Sequence, residues 1–174
     1  MNQNLKKLIY GALFAALACV ATMSIRIPTP GTNGYIHPGD AVVILSGIFL
    51  GPAAGFLAGG IGSAMADLIG GYFVYVPATF VIKGLIALAS AYIYKQIGKK
   101  EKKTRYLSVI LCGVADMVLV AGGYFIFEYF IYGIGAAASI PANLIQGLGG
   151  LIISLLLYPA LMAVPDLAQC TQNN

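Results

Sequence analysis

Long apolar runs, separated by short polar or glycine- and proline-rich stretches, make up almost the whole chain. Six such runs fall at residues 5–27, 41–50, 53–73, 77–94, 106–132 and 138–164. Apolar runs of about 18 residues or more are typical of transmembrane helices, and the second run is clearly shorter than the others. The stretch GPAAG (Gly51–Gly55) predicts a tight turn between the second and third runs. The pattern therefore predicts an all-α protein with six transmembrane helices, forming a single domain over residues 1–174.

Basic residues form two groups that predict the orientation of these helices. Lys6 and Lys7 precede the first run, and the stretch KQIGKKEKKTR (residues 95–105) contains the second group. Lys and Arg concentrate in cytoplasmic loops, and four predicted spans separate the two groups. We therefore expect both termini to be cytoplasmic. The first run resembles a signal peptide, but it continues to Ile27, which favours an uncleaved helix.

The composition agrees with a membrane protein. The chain is 59% hydrophobic and 9% charged, with a mean hydropathy of +0.86, whereas a soluble domain carries about 25% charged residues. Aqueous enzymes and nucleic-acid-binding proteins are thereby disfavoured, and the net charge of +4 comes from loop lysines rather than from a basic face. Cys19, Cys112 and Cys170 lack paired or metal-ligand spacing, and there is one histidine, so we expect neither a metal site nor a cofactor.

Lys83 is a charged residue in the middle of the apolar run at 77–94. It lies about 9 Å below the outer end of its helix, where an unpaired ammonium costs several kcal/mol. Asp67 and Glu128 each lie about 7 Å from the outer ends of their own helices. Either carboxylate can therefore pair with Lys83. We interpret Lys83 and Asp67 as a structural ion pair, with direct contact to a ligand as the alternative.

Other polar side chains reach the same outer layer. Asn143 and Gln146 begin the sixth helix three residues apart and share a face, and Tyr124 lies about 13 Å inside its helix. Polar groups within a membrane face the bundle interior or a cavity rather than lipid. The layer predicts a pocket for a small polar molecule, with hydrogen bonding between helices as the alternative. Asp116, about 16 Å into the fifth helix, is either a packing group or a proton relay.

The first external loop, RIPTPGTNGYIHPGD (Arg26–Asp40), is rich in proline and glycine. A loop of this length can cover a pocket that opens outward, or it can be a simple connector. We predict Asp40 to be the N-cap of the second helix, because PGD leads directly into an apolar run. With Tyr35 and His37 of this loop, the candidate substrate-binding residues are Lys83, Tyr124, Glu128, Asn143, Gln146, Asp67, Tyr35 and His37.

The first helix contains small residues at regular spacing. In YGALFAALACVA, Gly11, Ala15 and Cys19 lie on one stripe, with Ala12 and Ala16 beside it. Small residues four positions apart allow another helix to approach closely. The stripe can serve packing within the bundle or docking of an external partner.

Four stretches together resemble one known family over essentially the whole chain. They are ALFAALACVA, HPGDAVVILSGIFLGPAAGFLAGGIGSAMADLIGGY, PATFVIKGL and PANLIQGLGG. The chain is similar to the substrate-binding (S) components of energy-coupling factor (ECF) vitamin transporters, and the long middle stretch is the most specific part. The subgroup that it resembles is associated with hydroxymethylpyrimidine, pyridoxine and similar vitamin precursors.

This resemblance implies a high-affinity vitamin-binding subunit in a bacterial cell membrane. Such a subunit docks on a transmembrane coupling protein and a pair of ATPases, and the pocket near the outer face is roofed by the first loop and lined by helices four to six. ATP must be hydrolysed by the other chains, because this sequence has no phosphate-binding loop. The absence of tryptophan leaves ring stacking to Tyr or Phe. The resemblance implies a docking surface for the coupling protein at Ala12 and Ala16, together with Gly11 and Ala15.

Two other classes remain as alternatives. A stand-alone secondary carrier or channel would use Asp67, Lys83 and Asp116 for ion coupling, and inverted repeats would favour it. The two halves of the sequence show no convincing repeat. An intramembrane enzyme would need a nucleophile beside a base, and no such arrangement is visible, so we expect no catalytic residues.

Overall fold

The structure is a computed structural model that describes residues 3–98 and 101–172, and these residues form seven α-helices. In chain order the helices are α1 (Gln3–Ser24), α2 (Asp40–Leu50), α3 (Pro52–Gly70), α4 (Val76–Ile93), α5 (Lys102–Tyr132), α6 (Ile140–Met162) and α7 (Pro165–Gln172). A π-helical turn (Tyr94–Gly98) extends α4, and a 3-10 segment (Gly133–Ser139) joins α5 to α6. Between α1 and α2, strands β1 (Ile27–Pro28) and β2 (Tyr35–Ile36) pair antiparallel.

Helices α1–α6 correspond one by one to the six predicted apolar runs. The two-stranded ribbon in the first loop and the short helix α7 differ from the prediction. Helix α7 is too short and too polar to appear in a search for apolar runs, yet Leu167 is buried and Asp166 pairs with Lys6 at 2.6 Å. Lys99 and Lys100, part of the basic group used to predict orientation, lie outside the described residues, as do the last residues of the tail.

Fewer stretches than helices are long and apolar enough to cross a membrane. Within residues 3–98 and 101–172, four helical stretches are long and apolar enough to cross a membrane: Leu5–Ser24, Pro52–Gly70, Val76–Gly98 and Lys103–Met162. The last stretch has 60 residues and contains both α5 and α6. Helix α2 has 11 residues and is about 16 Å long, which is shorter than the roughly 30 Å of the hydrocarbon layer. The six spans and the two cytoplasmic termini therefore stay predictions.

Helix α2 is the centre of the bundle. All but one of its residues are buried, and it packs against α1, α3, α4 and α6. Its approach to α4 is very close: a Cβ atom on Gly47 would overlap the backbone carbonyl of Ala87. A glycine is required there because no other residue lets the two backbones come this near.

The helix directions bring five helix ends together. Helices α5 and α6 run antiparallel, since Gly113 lies against Leu151 and Gly147 against Met117. Helices α2 and α4 run in the same direction, since Asp40 meets Lys83 and Gly47 meets Ala87. At one end of the bundle, the N-terminal ends of α2, α4 and α6 therefore lie beside the C-terminal ends of α3 and α5. The β1–β2 ribbon covers this end of the bundle, which we call the ribbon end. Polar residues near these helix ends can therefore share one site.

Candidate functional site

A cavity lies at the ribbon end, between the ribbon and the helix ends. The space there that no atom fills is about 320 Å³, including the part that is open to solvent, but only about 20 Å³ of it can hold the centre of a water molecule. Side chains from the first loop and from α3, α5, α6 and the start of α4 surround it. The lining residues are Thr29, Gly34, Tyr35, His37, Asp67, Tyr75, Thr79, Tyr124, Glu128 and Asn143.

The candidate residues of the sequence analysis converge on this cavity. Six of them line it: Tyr35, His37, Asp67, Tyr124, Glu128 and Asn143. The other two, Lys83 and Gln146, are buried outside the lining, and both donate hydrogen bonds to Asp40. Their common location is a finding of the structure, whereas their part in ligand binding stays a prediction.

The partner of Lys83 is Asp40, so the predicted pairing with Asp67 is wrong, as is the alternative with Glu128. The Lys83 ammonium donates to Asp40 Oδ1, and both side chains have no exposed surface. Asp40 is also not the predicted N-cap: α2 begins at Asp40 itself, after Gly39, and no side chain caps that end. The carboxylate turns into the bundle because a buried ammonium needs a counter-charge more than a helix end needs a cap.

Gln146 connects this ion pair to the loop above it. Its side-chain Nε2 donates to Asp40 Oδ2 at 2.8 Å, and its Oε1 accepts from the backbone N–H of His37 at 3.0 Å. One amide thus satisfies a buried carboxylate on α2 and a buried backbone donor in the loop. The ion pair, α6 and the loop are therefore one hydrogen-bonded unit.

Asp67 has a phenol as its partner. The Tyr35 hydroxyl donates to Asp67 Oδ1 at 2.6 Å, and the Tyr35 ring lies 4.5 Å from the ring of Tyr72. Burial raises the pKa of the Tyr35 hydroxyl above its ordinary range, and the bond to Asp67 acts in the same direction. Tyr35 therefore stays protonated and remains a donor. The Arg26 guanidinium lies over the Tyr35 and Tyr72 rings, 5.1 and 5.7 Å from their centres.

Glu128 also has hydroxyl partners. Tyr75 donates to Glu128 Oε1 at 3.0 Å, and Ser139 donates to Oε2. Asn143 Nδ2 lies 3.5 Å from the Ser139 hydroxyl, at the limit of a hydrogen bond. Burial is also the main cause that raises the pKa of Tyr75. A carboxylate with hydroxyl donors on both oxygens is held in place without a cation.

Tyr124 is the contact between the cavity and the ion pair. Its hydroxyl shares a hydrogen bond with Thr79 at 2.9 Å, and its ring lies 5.5 Å from the Lys83 ammonium. An ammonium over an aromatic face is attracted by the ring quadrupole. The ring of Tyr124 therefore shields the ion pair from the cavity.

His37 is a buried, neutral residue of the loop. Its Nδ1 accepts from the backbone N–H of Gly39 at 3.1 Å. Burial lowers the pKa of His37 to about 3, and the Lys83 ammonium acts in the same direction. At neutral pH the ring is therefore uncharged and an acceptor, and the predicted contact with a substrate stays a prediction.

Sequence analysis missed five residues of the site: Thr29, Gly34, Tyr75, Thr79 and Asp40. A signal for two of them exists, because Tyr75 and Thr79 precede Lys83 at intervals of four residues and therefore share its face at the start of α4. Thr29 and Gly34 depend on the ribbon, which brings them over Glu128. No local pattern predicts that contact.

Asp116 lies beside the ion pair but does not join it. It has no exposed surface, and neither of its side-chain oxygens has a hydrogen-bond partner among the residues that the structure describes. It lies across from Gly150, where a Cβ atom would contact both Asp40 and Asp116. No contact favours a packing group over a proton relay, so both interpretations stay open.

The small residues of α1 separate into two sets. Ala15 faces α3, and a Cβ atom on Gly62 would overlap its backbone carbonyl. Ala12 and Ala16 are exposed on the neighbouring face, beside the exposed side chains of Leu13 and Leu17. Gly11 is half-buried and has open space around its α-carbon. Internal packing therefore uses Ala15, and the exposed surface contains Ala12 and Ala16.

These features define a membrane-embedded helical bundle with a polar cavity under a loop. The family model for the ECF-type riboflavin transporter, S component, matches residues 2–163. The chain therefore belongs to this family of transport components, which is not a family of enzymes. The resemblance stated from the sequence is confirmed at this level, and the subgroup stays a prediction.

Two relatives extend over most of the chain. A protein of Pyrococcus woesei, described only as an uncharacterized protein in a gap 3′ region, is 36% identical over 135 residues, 77% of this chain and 86% of that protein. The thiamine precursor transporter HmpT of Lactococcus lactis subsp. cremoris is 30% identical over 162 residues, 91% of this chain and 89% of that protein.

Two solved structures have the same fold. The S component of a bacterial ECF transporter superposes with a TM-score of 0.70 at 22% identity, over 92% of this chain and 98% of that one. The S component for biotin from an ECF-type ABC transporter gives a TM-score of 0.62 at 20% identity, over 99% and 93%. At these identities the likeness establishes the fold alone.

The buried ion pair generates a prediction about stability. Asp40→Asn keeps the shape of the side chain but leaves the Lys83 ammonium unpaired, which typically costs about 3–5 kcal/mol. We expect a clearly lower melting temperature for Asp40→Asn, and recovery in the double variant Asp40→Asn/Lys83→Met. The matched control is Asp67→Asn, which removes a carboxylate bonded to a phenol and should cost much less. A larger loss for Asp67→Asn than for Asp40→Asn would contradict this pairing.

His37 generates a prediction about pH. Its pKa in the folded protein, about 3, lies below the ordinary value of 6.5. As the pH falls, the unfolded chain therefore binds a proton at His37 before the folded protein does. Stability contributed by the neutral ring is complete above about pH 6.5 and decreases as the pH falls toward 3. His37→Asn can retain an acceptor for Gly39 and cannot be protonated. We expect its melting temperature to fall less than that of the wild type between about pH 7 and pH 5; equal falls would contradict this role.

Proposed function

We propose that this protein is the high-affinity substrate-binding subunit of an ATP-driven ECF-type importer in a bacterial cell membrane. Its substrate is a vitamin or vitamin precursor, with pyridoxine or a hydroxymethylpyrimidine-like ring favoured. It docks on a transmembrane coupling protein that works with a pair of ATPases. The observation that supports this proposal most is the polar cavity enclosed by the ribbon and the ends of α3–α6.

The size of the cavity supports a small substrate. Only about 20 Å³ of it can hold the centre of a water molecule, far less than the roughly 300–1,000 Å³ of pockets for drug-sized ligands, so the cavity must widen when a substrate binds. A single substituted ring requires less widening than a fused three-ring system such as that of riboflavin. The name of the Lactococcus relative, a thiamine precursor transporter, points in the same direction.

The lining supports recognition of a polar ring. Tyr35, Tyr75 and Tyr124 supply aromatic surface, and Asp67, Glu128 and Asn143 supply acceptors and donors. A few converging polar groups among aromatic side chains are typical of small-molecule sites. We propose that Glu128 and Asn143 contact the substrate directly, whereas Lys83 and Gln146 hold the site from beneath.

The surface of α1 supports docking to another membrane protein. In the most apolar part of α1 only 17% of the residues are buried inside the bundle, whereas the share is 39–50% in the corresponding parts of the other three long apolar stretches. Ala12 and Ala16 form a shallow, exposed strip on this helix. We propose that a helix of the coupling protein packs against this strip, since small residues allow close approach.

The subunit hypothesis predicts binding without transport. The purified chain in liposomes should bind labelled pyridoxine or hydroxymethylpyrimidine but should not accumulate it, with or without a proton or sodium gradient. Addition of the coupling protein and both ATPases, with ATP, should produce uptake. Gradient-driven uptake by the chain alone would instead establish the secondary carrier that the sequence left as an alternative.

The docking hypothesis predicts a separation of assembly from binding. Ala16→Trp fills the exposed strip on α1, so we expect loss of co-purification with the coupling protein at nearly unchanged ligand affinity. Val118→Trp on α5 is the control, because Val118 is also highly exposed but lies outside the strip. Equal assembly of both variants, or a loss of affinity in Ala16→Trp alone, would contradict this assignment of α1.

A further inference from the structure

Among the residues that the structure describes, those lining the cavity include two carboxylates and no cation. Asp67 and Glu128 line it, and its remaining lining residues carry no positive charge at neutral pH. His37 is uncharged there, because burial lowers its pKa to about 3. Any bound molecule therefore meets two acidic side chains and no side chain of opposite charge.

The nearby cations Lys83 and Arg26 are not part of the cavity lining. Lys83 is paired with Asp40 and covered by the ring of Tyr124. Arg26 lies over the rings of Tyr35 and Tyr72 and donates to the backbone carbonyl of Ala66 at 3.4 Å. Neither residue lines the cavity, so neither offers a counter-charge to a bound anion.

The hydroxyl donors of the lining are also in use. Tyr35 donates to Asp67 and Tyr75 donates to Glu128, at 2.6 and 3.0 Å. Tyr124 shares its hydroxyl with Thr79 at 2.9 Å. Each carboxylate oxygen can accept about two hydrogen bonds, so the two carboxylates retain acceptor capacity that the protein does not fill. The cavity therefore has spare carboxylate acceptors, and its remaining donors are the neutral N–H groups of Asn143 and His37.

We propose that Glu128 and Asp67 make this site selective for charge: it binds neutral or cationic rings that donate hydrogen bonds, and it rejects phosphorylated or carboxylated forms. This inference rests on the proposed function and specifies its substrate class. An amino or hydroxyl group, or a protonated ring nitrogen, supplies the donors that the carboxylates lack. A phosphate brings further negative charge into a low-dielectric space without a cation to receive it.

The test compares each ring with its phosphate on the intact, purified chain. The probes are pyridoxine and pyridoxine 5′-phosphate, and hydroxymethylpyrimidine and its monophosphate, titrated by calorimetry at neutral pH. We expect at least one parent ring to bind, and its phosphate to bind at least about 100-fold more weakly. A phosphate that binds as tightly as its parent overturns the inference and leaves the proposed function intact. Failure of all four probes to bind contradicts the favoured substrate class and this inference together.

Variants test which side chain produces the selectivity. Glu128→Gln keeps the size of the side chain and removes its charge, so the parent ring should bind about ten-fold or more weakly, and the preference over the phosphate should shrink. Asp67→Asn tests the second carboxylate in the same way. Glu101→Gln is the control, because Glu101 is exposed outside the cavity. An unchanged preference in both cavity variants, with melting temperatures near that of the wild type, would overturn the assignment.

Discussion

The buried ion pair between Asp40 and Lys83 is the interaction on which the site depends. Two charges without exposed surface are tolerable only when they satisfy each other and their remaining hydrogen bonds. The pair fixes the start of α2 against α4, and Gln146 adds α6 to the same group. Because Gln146 also binds the backbone of His37, the position of the loop follows from the position of the pair.

The depth of the charged residues along their helices was predictable from the sequence, but the partner of Lys83 was not. Asp67, Lys83 and Glu128 do lie at one end of the bundle, and counting residues from the helix ends was enough to place them there. Which carboxylate meets Lys83 depends on the lateral order of the helices, and the central position of α2 decides it. Asp40 was overlooked because a carboxylate at a helix start is ordinarily a cap, and this one instead points into the bundle.

The loop was the least predictable part of the site. The proline- and glycine-rich composition of Arg26–Asp40 indicated a cover, yet two strands of two residues each are too short to leave a pattern. Gly34 lies over Glu128, and Gly31 lies against Ala138 of the 3-10 segment. Contacts of this kind join residues about a hundred positions apart. They depend on the finished packing rather than on local preference.

The two sides of the cavity differ in how they are held. The floor consists of a buried ion pair and an amide shared by α2, α4 and α6, so opening it would expose unpaired charges at a high cost in free energy. The roof is a short ribbon, and Gly34 and Tyr75 separate the cavity from a wider groove at the surface. Hydrogen bonds there can be exchanged with water at little net cost. The free energy needed for access is therefore lowest on the loop side, where a ligand from the groove passes Gly34 and Tyr75 before it reaches the carboxylates of the cavity.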